Sequence, residues 1–305
     1  MFINKLLFAA LLLFISPFIV SQTDSTKLDD GEWEWYWEDY DDWEYWDLEF
    51  GFKEKRPAIS LNYGFAELSR EDVQSQFVDP NLIELKIGFI RDRQAWESES
   101  IIKHSYKYLF LSNESNNLSG KEATGNEIES KMWRFGYGNS SGYGYKVGES
   151  ASIIPYYTYT INWTNIDFNN PGNLAFVPEA DQIIMGYYDE SFRFGTSTEG
   201  GVRAKLIKNL ILDAGYERAI VFQRHLFWKW AGSAVIESIA QSLVDEFVEE
   251  VFDSSPAAAP IVSFLLKNGL AYGIYELRQD KMNWPFPSEA PVSYDQFKFG
   301  VTFVF

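Results

Sequence analysis

The residues best suited to catalysis in this sequence are its two histidines, His104 and His225. A serine hydrolase needs a histidine and a serine on the same face, with an acid or amide that orients the histidine. Ser105 follows His104, but neighbouring residues on a strand point to opposite faces, so this pair cannot act together without a bulge. We therefore interpret His104 as an interfacial side chain. His225 lies beside Arg224 and Trp228, and we expect it to anchor the junction between the seventh strand and the helical segment that follows it.

Other chemistry finds little support in the sequence. The chain has no cysteine, no pair of histidines at metal-binding spacing and no glycine-rich phosphate loop after a strand. Its formal net charge of −18 has the wrong sign for a nucleic-acid-binding protein. We therefore predict no catalytic, cofactor-binding or metal-binding residue, and we expect no nucleic-acid partner.

The elements that would position functional side chains are strands with one apolar face. From Pro57 onward, apolar and polar residues alternate in runs, as in Ile59, Leu61 and Tyr63 with polar residues between them. Seven such runs precede the C-terminal one, so we predict about eight strands, with ten or more as the alternative. A secreted β-sandwich would show the same alternation, so the ends of the runs and their connections have to decide.

The C-terminal stretch VSYDQFKFGVTFVF has the clearest alternation. Phe297, Phe299, Val301, Phe303 and Phe305 fall on every second position and so share one face of a strand. An apolar face that ends on a C-terminal aromatic residue resembles the closing strand of bacterial outer-membrane β-barrels, and the pattern over 57–222 and 292–305 resembles the small OmpA-like barrels. The resemblance implies an all-β transmembrane antiparallel barrel in outer-membrane lipid, with Phe305 as the signal for the barrel assembly machinery.

The connections between the runs alternate in length. Those after the first, third, fifth and seventh runs are long, whereas those after the second, fourth and sixth are shorter, which is typical of an outer-membrane barrel. If the aromatic face of each run meets lipid, the opposite face lines the lumen, where charges have to pair. On the third run this rule puts Tyr108 and Phe110 towards lipid. The predicted barrel-interior charges are Glu84, Lys86, Lys107, Arg134, Glu199, Arg203, Lys205, Asp213, Glu217 and Lys298.

Residues 226–277 break the strand pattern. Apolar pairs such as Ile239-Ala240 recur every four residues between polar and acidic pairs, which predicts an amphipathic helix, and a second, more apolar helix follows a break at 253–260 that contains two prolines. This helical hairpin joins the last two strands on the outward side. We prefer a cap over the barrel mouth. The alternatives are an interfacial position at the lipid headgroups, a plug in the lumen, or packing of the two helices on each other and the loops.

The N-terminus has the three parts of a secretory signal peptide: a basic start, an apolar run and a small residue at Ser21. We therefore predict cleavage near Ser21 and divide the chain into a signal peptide (1–21), an acidic Trp-rich periplasmic extension (22–56) and a barrel (57–305) carrying the helical insertion.

The acidic extension allows three interpretations. It is a disordered solvating segment, a docking segment for a basic periplasmic protein, or a surface for carbohydrate stacking. A calcium site is disfavoured because the carboxylates lack the spacing and central Gly of a calcium loop. The predicted partner-binding residues are Trp33, Trp35, Trp37, Trp43 and Trp46.

These patterns predict an outer-membrane β-barrel with a binding or structural role. The outer loops and helical hairpin would contact a surface ligand, and the acidic extension would contact a periplasmic partner. The alternatives are a small-solute channel and a lipid-modifying enzyme. Strand number bears on the first of them, because about eight strands enclose an interior filled by side chains, whereas sixteen or so leave a pore.

Overall fold

The computed structural model describes residues 55–95, 98–120, 127–169, 177–189 and 191–305. The predicted signal peptide and the tryptophans of the acidic extension lie outside the described residues.

Eight strands and four helices make up the described chain. The strands are β1 (Arg56–Ser69), β2 (Asn81–Gln94), β3 (Ile101–Ser115), β4 (Glu129–Lys146), β5 (Ser152–Asn169), β6 (Phe192–Ile207), β7 (Leu210–Val221) and β8 (Val292–Val304). The helices are α1 (Asn116–Ser119), α2 (Glu179–Gly186), α3 (Phe227–Ser254) and α4 (Ala259–Asp280).

The strands form a closed antiparallel barrel in which each strand pairs with the next along the chain. β8 closes the barrel by pairing with β1, where Phe303 lies opposite Ile59. The predicted fold class, an antiparallel barrel of about eight strands with a helical hairpin before the last strand, is therefore confirmed, and the alternative of ten or more strands is wrong.

The connections divide the barrel into two ends. Long connections between β1 and β2, β3 and β4, β5 and β6, and β7 and β8 lie at what we call the long-loop end. The short connections and both the start of β1 and the end of β8 lie at the short-turn end. There the backbone N–H of Phe305 donates a 2.9 Å hydrogen bond to the carbonyl of Pro57, which fastens the C-terminus to the first strand.

The outer surface of the barrel is apolar over a continuous area. Strand residues alternate between an exposed and a buried face, as the sequence pattern predicts. The large apolar residues exposed on β1, β2 and β8 are Ile59, Leu61, Tyr63, Phe65, Ile83, Leu85, Ile87, Phe89, Phe297, Phe299 and Phe303.

β3 is the strand whose predicted facing is wrong. Tyr108 and Phe110 point into the barrel and are buried, so Lys107, which directly precedes Tyr108, points outward and is not a lumen charge. Gly138 and Gly136 on β4 lie opposite these two rings, and a Cβ on either glycine would collide with them. The missing side chains on β4 therefore make room in the lumen for the aromatic residues of β3.

The helical hairpin of α3 and α4 lies against the outer wall of the barrel. α4 contacts β4, β5, β6 and β7, and a Cβ added to the outward face of Gly200 would collide with the side chain of Asn268. The tip of the hairpin reaches the short-turn end, where Tyr145 donates a 2.6 Å hydrogen bond to the carbonyl of Ala257 and Phe252 packs on the Tyr143 ring. The hairpin thus runs along the full height of the wall.

This position corrects the preferred prediction of a cap over the barrel mouth. The hairpin begins at the long-loop end, where His225 stacks on Phe194 with ring centroids 4.5 Å apart, in agreement with an anchoring role for His225. It then descends beside the strands instead of crossing their ends, and its helices extend to Asp280 rather than ending at residue 277. Among the described residues, no helix is both long enough and apolar enough to cross a membrane.

Candidate functional site: a closed lumen

A cluster of buried charges fills the middle of the lumen. Lys298 on β8 contacts three carboxylates from three other strands: Glu84 at 3.3 Å, Glu199 at 2.6 Å and Glu217 at 2.5 Å. Lys86 on β2 lies 3.2 Å from Glu84 and 3.6 Å from Glu199. All five side chains are at most 4% exposed. Ion pairs therefore cross the lumen from wall to wall.

Arg134 extends this cluster towards β3. Its two terminal nitrogens bind Glu114 at 2.9 Å and Glu217 at 2.8 Å, and its guanidinium lies over the rings of Phe110 and Tyr294. Fully buried charges are tolerated only when paired and hydrogen-bonded, and Arg134 meets both conditions.

Polar and aromatic side chains complete the layer. Asn62 on β1 donates to Glu84 at 2.9 Å, and Tyr156 on β5 donates to Glu199. Arg203 lies 3.9 Å over the Tyr156 ring and donates to Ser140 at 2.8 Å. With these contacts every strand of the barrel contributes at least one side chain to the network.

The layer next to the long-loop end is apolar. Tyr188, from the connection after α2, is fully buried there, and its hydroxyl accepts a 2.5 Å hydrogen bond from Arg70. Asp181 in α2 holds the neighbouring connection by accepting hydrogen bonds from the backbone N–H and the hydroxyl of Ser75 at 2.9 and 2.8 Å. The buried residues packed with Tyr188 are Leu68, Met132, Ile166, Ala219, Val221, Val292 and Tyr294.

A second apolar layer and a polar cluster fill the short-turn end. The apolar layer consists of Ala58, Ile90, Tyr106, Tyr108, Phe110, Ile211 and Val304. Nearer the end, Asp92 contacts His104 at 2.6 Å, Lys205 at 2.6 Å and Arg56 at 3.2 Å. The interpretation of His104 as an interfacial side chain is therefore wrong, because the imidazole is fully buried inside the barrel and Ser105 points outward.

The Asp92–His104 pair has half of the geometry of a general base. The second ring nitrogen, Nε2 of His104, has no hydrogen-bond partner within the described ranges, so no serine hydroxyl is held against it there. The pair acts as a buried structural contact among the described residues, since Asp92 is already shared with two further cations.

The predicted lumen charges can now be located individually. Lys107 lies on the outer surface and is the exception. The charges that point inward are Glu84, Lys86, Arg134, Glu199, Arg203, Lys205, Asp213, Glu217 and Lys298. Lys205 and Asp213 are less deeply buried than the others, and Lys205 binds Asp92 instead of the central cluster.

Two inward acids were missed by the sequence analysis. Glu114 shares the inward face of β3 with Tyr108 and Phe110, but the apolar run that marked this strand ended before it, so Glu114 was assigned to the following connection. Asp92 lies at the end of β2, beyond the apolar run that marked the strand. The signal available for β3 was the glycine pair on the neighbouring run, Gly136 and Gly138, which leaves space on the lumen side.

Comparisons with known proteins returned similarity to solved structures alone. No protein-family model and no curated protein matches the chain. Neisserial surface protein A is 10% identical with a TM-score of 0.39, and the match covers 82% of this chain and 97% of that one. Ail, the attachment invasion locus protein of Yersinia pestis, is 8% identical with a TM-score of 0.30 over 83% and 99% of the two chains. The outer membrane protein OprG from Pseudomonas aeruginosa is 9% identical with a TM-score of 0.25 over 83% and 97%.

At these TM-scores the similarities carry no argument about this chain. Its class follows from its own strand register: a closed eight-stranded antiparallel barrel with an apolar outer surface and a lumen filled by side chains. The resemblance to small outer-membrane barrels that the terminal strand suggested therefore extends to strand number, closure and loop arrangement.

Proposed function

We propose that this protein is an integral outer-membrane barrel with a binding or structural role and a lumen that does not conduct solutes. The observation that carries the proposal is the contact of Lys298 with Glu84, Glu199 and Glu217, which ties β8 to β2, β6 and β7 through the centre of the lumen. A barrel of eight strands has an interior just wide enough for side chains to fill, and this one is filled by charges and by apolar layers on both sides of them.

The outer surface supports the membrane part of the proposal. Eleven large apolar side chains exposed on β1, β2 and β8 would form an aggregation-prone patch in water, whereas they match an apolar band in a bilayer. Mixed charges turned into the lumen and apolar residues turned outward are the inverse of a soluble sandwich. The C-terminal Phe305, with its side chain exposed at the short-turn end, remains available to the barrel assembly machinery.

Two measurements test this proposal. Fractionated outer membranes should contain the protein, and planar bilayers that hold the purified chain should show no steady ionic current. A verified porin inserted in the same bilayers provides the positive control for conductance. Large stable channels from the purified chain would establish the channel alternative instead.

We also propose that the acidic extension binds a basic periplasmic protein. The support is its composition, since indoles are strong interface anchors and the surrounding carboxylates steer a cationic partner. Replacing Trp33, Trp35 and Trp37 with alanine should abolish capture of a cationic partner from solubilised outer membranes, while replacement with phenylalanine should retain part of it. Capture by the wild type should weaken with salt, because screening shortens the range of the charges to about 8–10 Å. Equal partner sets for the wild type and the alanine variant would make the extension a passive segment.

For a surface ligand, the candidate region is the long-loop end. The connections held by Asp181 and Arg70 form a packed surface there. Most of the hairpin does not contribute to this candidate region, because it lies beside the barrel and not over its mouth.

A further inference from the structure

The outer wall beside the hairpin carries polar residues, which we call the polar strip. Its members are the outward residues Asn139 and Ser141 on β4, Thr196 and Thr198 on β6, and Arg218 on β7. β5, which lies between β4 and β6, turns Tyr157, Tyr159 and Ile161 outward at the same level. None of the five polar residues is exposed, and Thr196, Thr198 and Arg218 line a cleft together with residues of the hairpin. Left uncovered in a bilayer, such hydroxyl, amide and guanidinium groups would lose their hydrogen-bond partners.

The hairpin turns polar side chains towards this strip. Glu237 on α3 and Arg278 on α4 form a 3.0 Å ion pair between the helices and are at most 7% exposed. Arg278 also donates to Ser233 at 2.9 Å, and both Glu237 and Arg278 line a cleft whose opposite wall includes Thr198 and Arg218. The buried face of the hairpin is therefore polar at this level, whereas near the tip Val248, Phe252 and Ala259 pack on Ala95 and Ile101.

Further contacts join the same two surfaces. Asn268 on α4 donates to the backbone carbonyl of Tyr156 at 3.4 Å, and Arg218 lies 4.6 Å from the centre of the Tyr272 ring. Gln241 on α3 is 1% exposed on the same side.

The opposite face of the hairpin is exposed and mainly apolar, with Ser242 and Glu246 as polar exceptions on α3. On α3, Val235, Ile239, Leu243 and Phe247 recur every four residues and are 42–57% exposed. On α4, the exposed positions from Ile261 to Gly273 carry no charge, and they include Leu265, Leu266 and Tyr272. In a soluble protein the apolar stripe of a helix faces the core, so this hairpin is inverted relative to that rule.

The length of the hairpin matches a bilayer. The 28 residues of α3 extend about 42 Å at 1.5 Å per residue, compared with about 30 Å for the hydrocarbon core. The difference of about 12 Å corresponds to about eight residues, and the last eight of α3 include Glu249, Glu250 and Asp253 near the tip. The other end carries Phe227, Trp228 and Trp230, which suit the membrane interface.

We propose that the hairpin lies within the bilayer alongside the barrel, covers the polar strip with its polar face and presents its exposed apolar face to lipid acyl chains. The hairpin thereby puts an apolar surface outside the polar positions of β4, β6 and β7. The inference rests on the proposed outer-membrane location. Its support is the exposed apolar face of the hairpin and the cleft that Glu237 and Arg278 line together with Thr198 and Arg218.

Single-cysteine labelling tests the inference without interference, since the chain has no native cysteine. The full chain is reconstituted in phosphatidylcholine vesicles, and an environment-sensitive fluorophore is attached to Leu243→Cys or Leu265→Cys on the hairpin. Leu109→Cys, on the exposed outer face of β3, is the reference for the barrel belt, and Val147→Cys, in a short turn, is the reference for water. Each sample is quenched with lipids brominated on their acyl chains and, separately, with aqueous iodide.

We expect the two hairpin labels to be quenched by brominated chains as strongly as the Leu109→Cys label and to resist iodide, whereas the Val147→Cys label responds to iodide. If iodide quenches the hairpin labels while brominated lipid quenches the Leu109→Cys label, the hairpin lies in water and the inference fails, although the barrel remains in the membrane. If brominated lipid also fails to quench Leu109→Cys, the proposed location fails as well. Hairpin labels protected from both quenchers would overturn the inference in favour of a second copy seated on the hairpin.

Discussion

The strongest stability prediction concerns Lys298, the cation shared by three carboxylates. Among the central charges, Lys86, Arg134 and Lys298 face Glu84, Glu114, Glu199 and Glu217, so three cations meet four acids and the formal balance is −1. Lys298→Met changes this balance to −2 in a region that is almost inaccessible to water. Removing one partner of a buried ion pair costs about 3–5 kcal/mol, which corresponds to about two to four orders of magnitude in the unfolding equilibrium.

The assay is denaturant unfolding of the protein in vesicles, followed by tryptophan fluorescence. Lys298→Met should lower the free energy of unfolding by about 3–5 kcal/mol. The double variant Lys298→Met with Glu199→Gln should recover part of the loss, because it restores the formal balance to −1. Lys107→Met is the matched control: its lysine lies on the outer face of β3, and we expect a change below about 1 kcal/mol.

Two results would refute this reasoning. A loss below about 1 kcal/mol for Lys298→Met would mean that water reaches the cluster and solvates the carboxylates. A double variant less stable than Lys298→Met alone would mean that Glu199 stabilises the barrel through Tyr156 or Lys86 more than through Lys298.

Three further predictions address assembly, the loops and the hairpin. Deleting Phe305 should reduce the fraction of chain assembled in outer membranes, as measured by fractionation, and an unchanged yield would count against its role as an assembly signal. Asp181→Ala removes the acceptor of the Ser75 hydrogen bonds and should speed proteolysis of residues 70–80 in intact vesicles without changing barrel unfolding; equal cleavage rates would contradict this. Leu243→Lys puts a charge on the lipid-facing side of α3 and should lower the free energy of unfolding in vesicles by about 2–4 kcal/mol. Asp253→Lys at the tip should lower it much less. Equal losses for the two variants would argue against burial of the hairpin in lipid.

The sequence carried enough information for the barrel and most of its lumen. A period of two, a sorted set of loop lengths and an aromatic C-terminus are local signals, and each constrains a strand or its connections directly. The inward face of β3 was predicted wrongly because both faces of this strand contain large residues. Its own pattern therefore does not show which face points into the lumen. The decision lies with Gly136 and Gly138, which belong to another strand and act only after the two strands pair.

The position of the hairpin beside the barrel could not be predicted from the sequence for a related reason. The sequence of α3 shows a wide apolar stripe, but it does not tell which side of the stripe meets protein. The outcome depends on Thr198, Arg218 and the other polar residues of a wall contributed by separate strands. Their outward facing in an apolar belt was a detectable anomaly once the strands had been assigned.

The location of Lys298 on the last strand has a consequence for the fidelity of closure. The neighbours of Lys298 in register are Gly64 on β1 and Gly215 on β7, and a Cβ at Gly64 would lie 3.1 Å from the lysine Cγ. A slip of β8 by one residue would turn Phe297 and Phe299 into the lumen and the lysine into lipid. A slip by two would bring Gln296 or Gly300 to the lysine position and leave Glu199 without its nearest cation. Of these alignments, the native one alone places a cation among Glu84, Glu199 and Glu217, so the carboxylates of the other strands discriminate against misregistered closure.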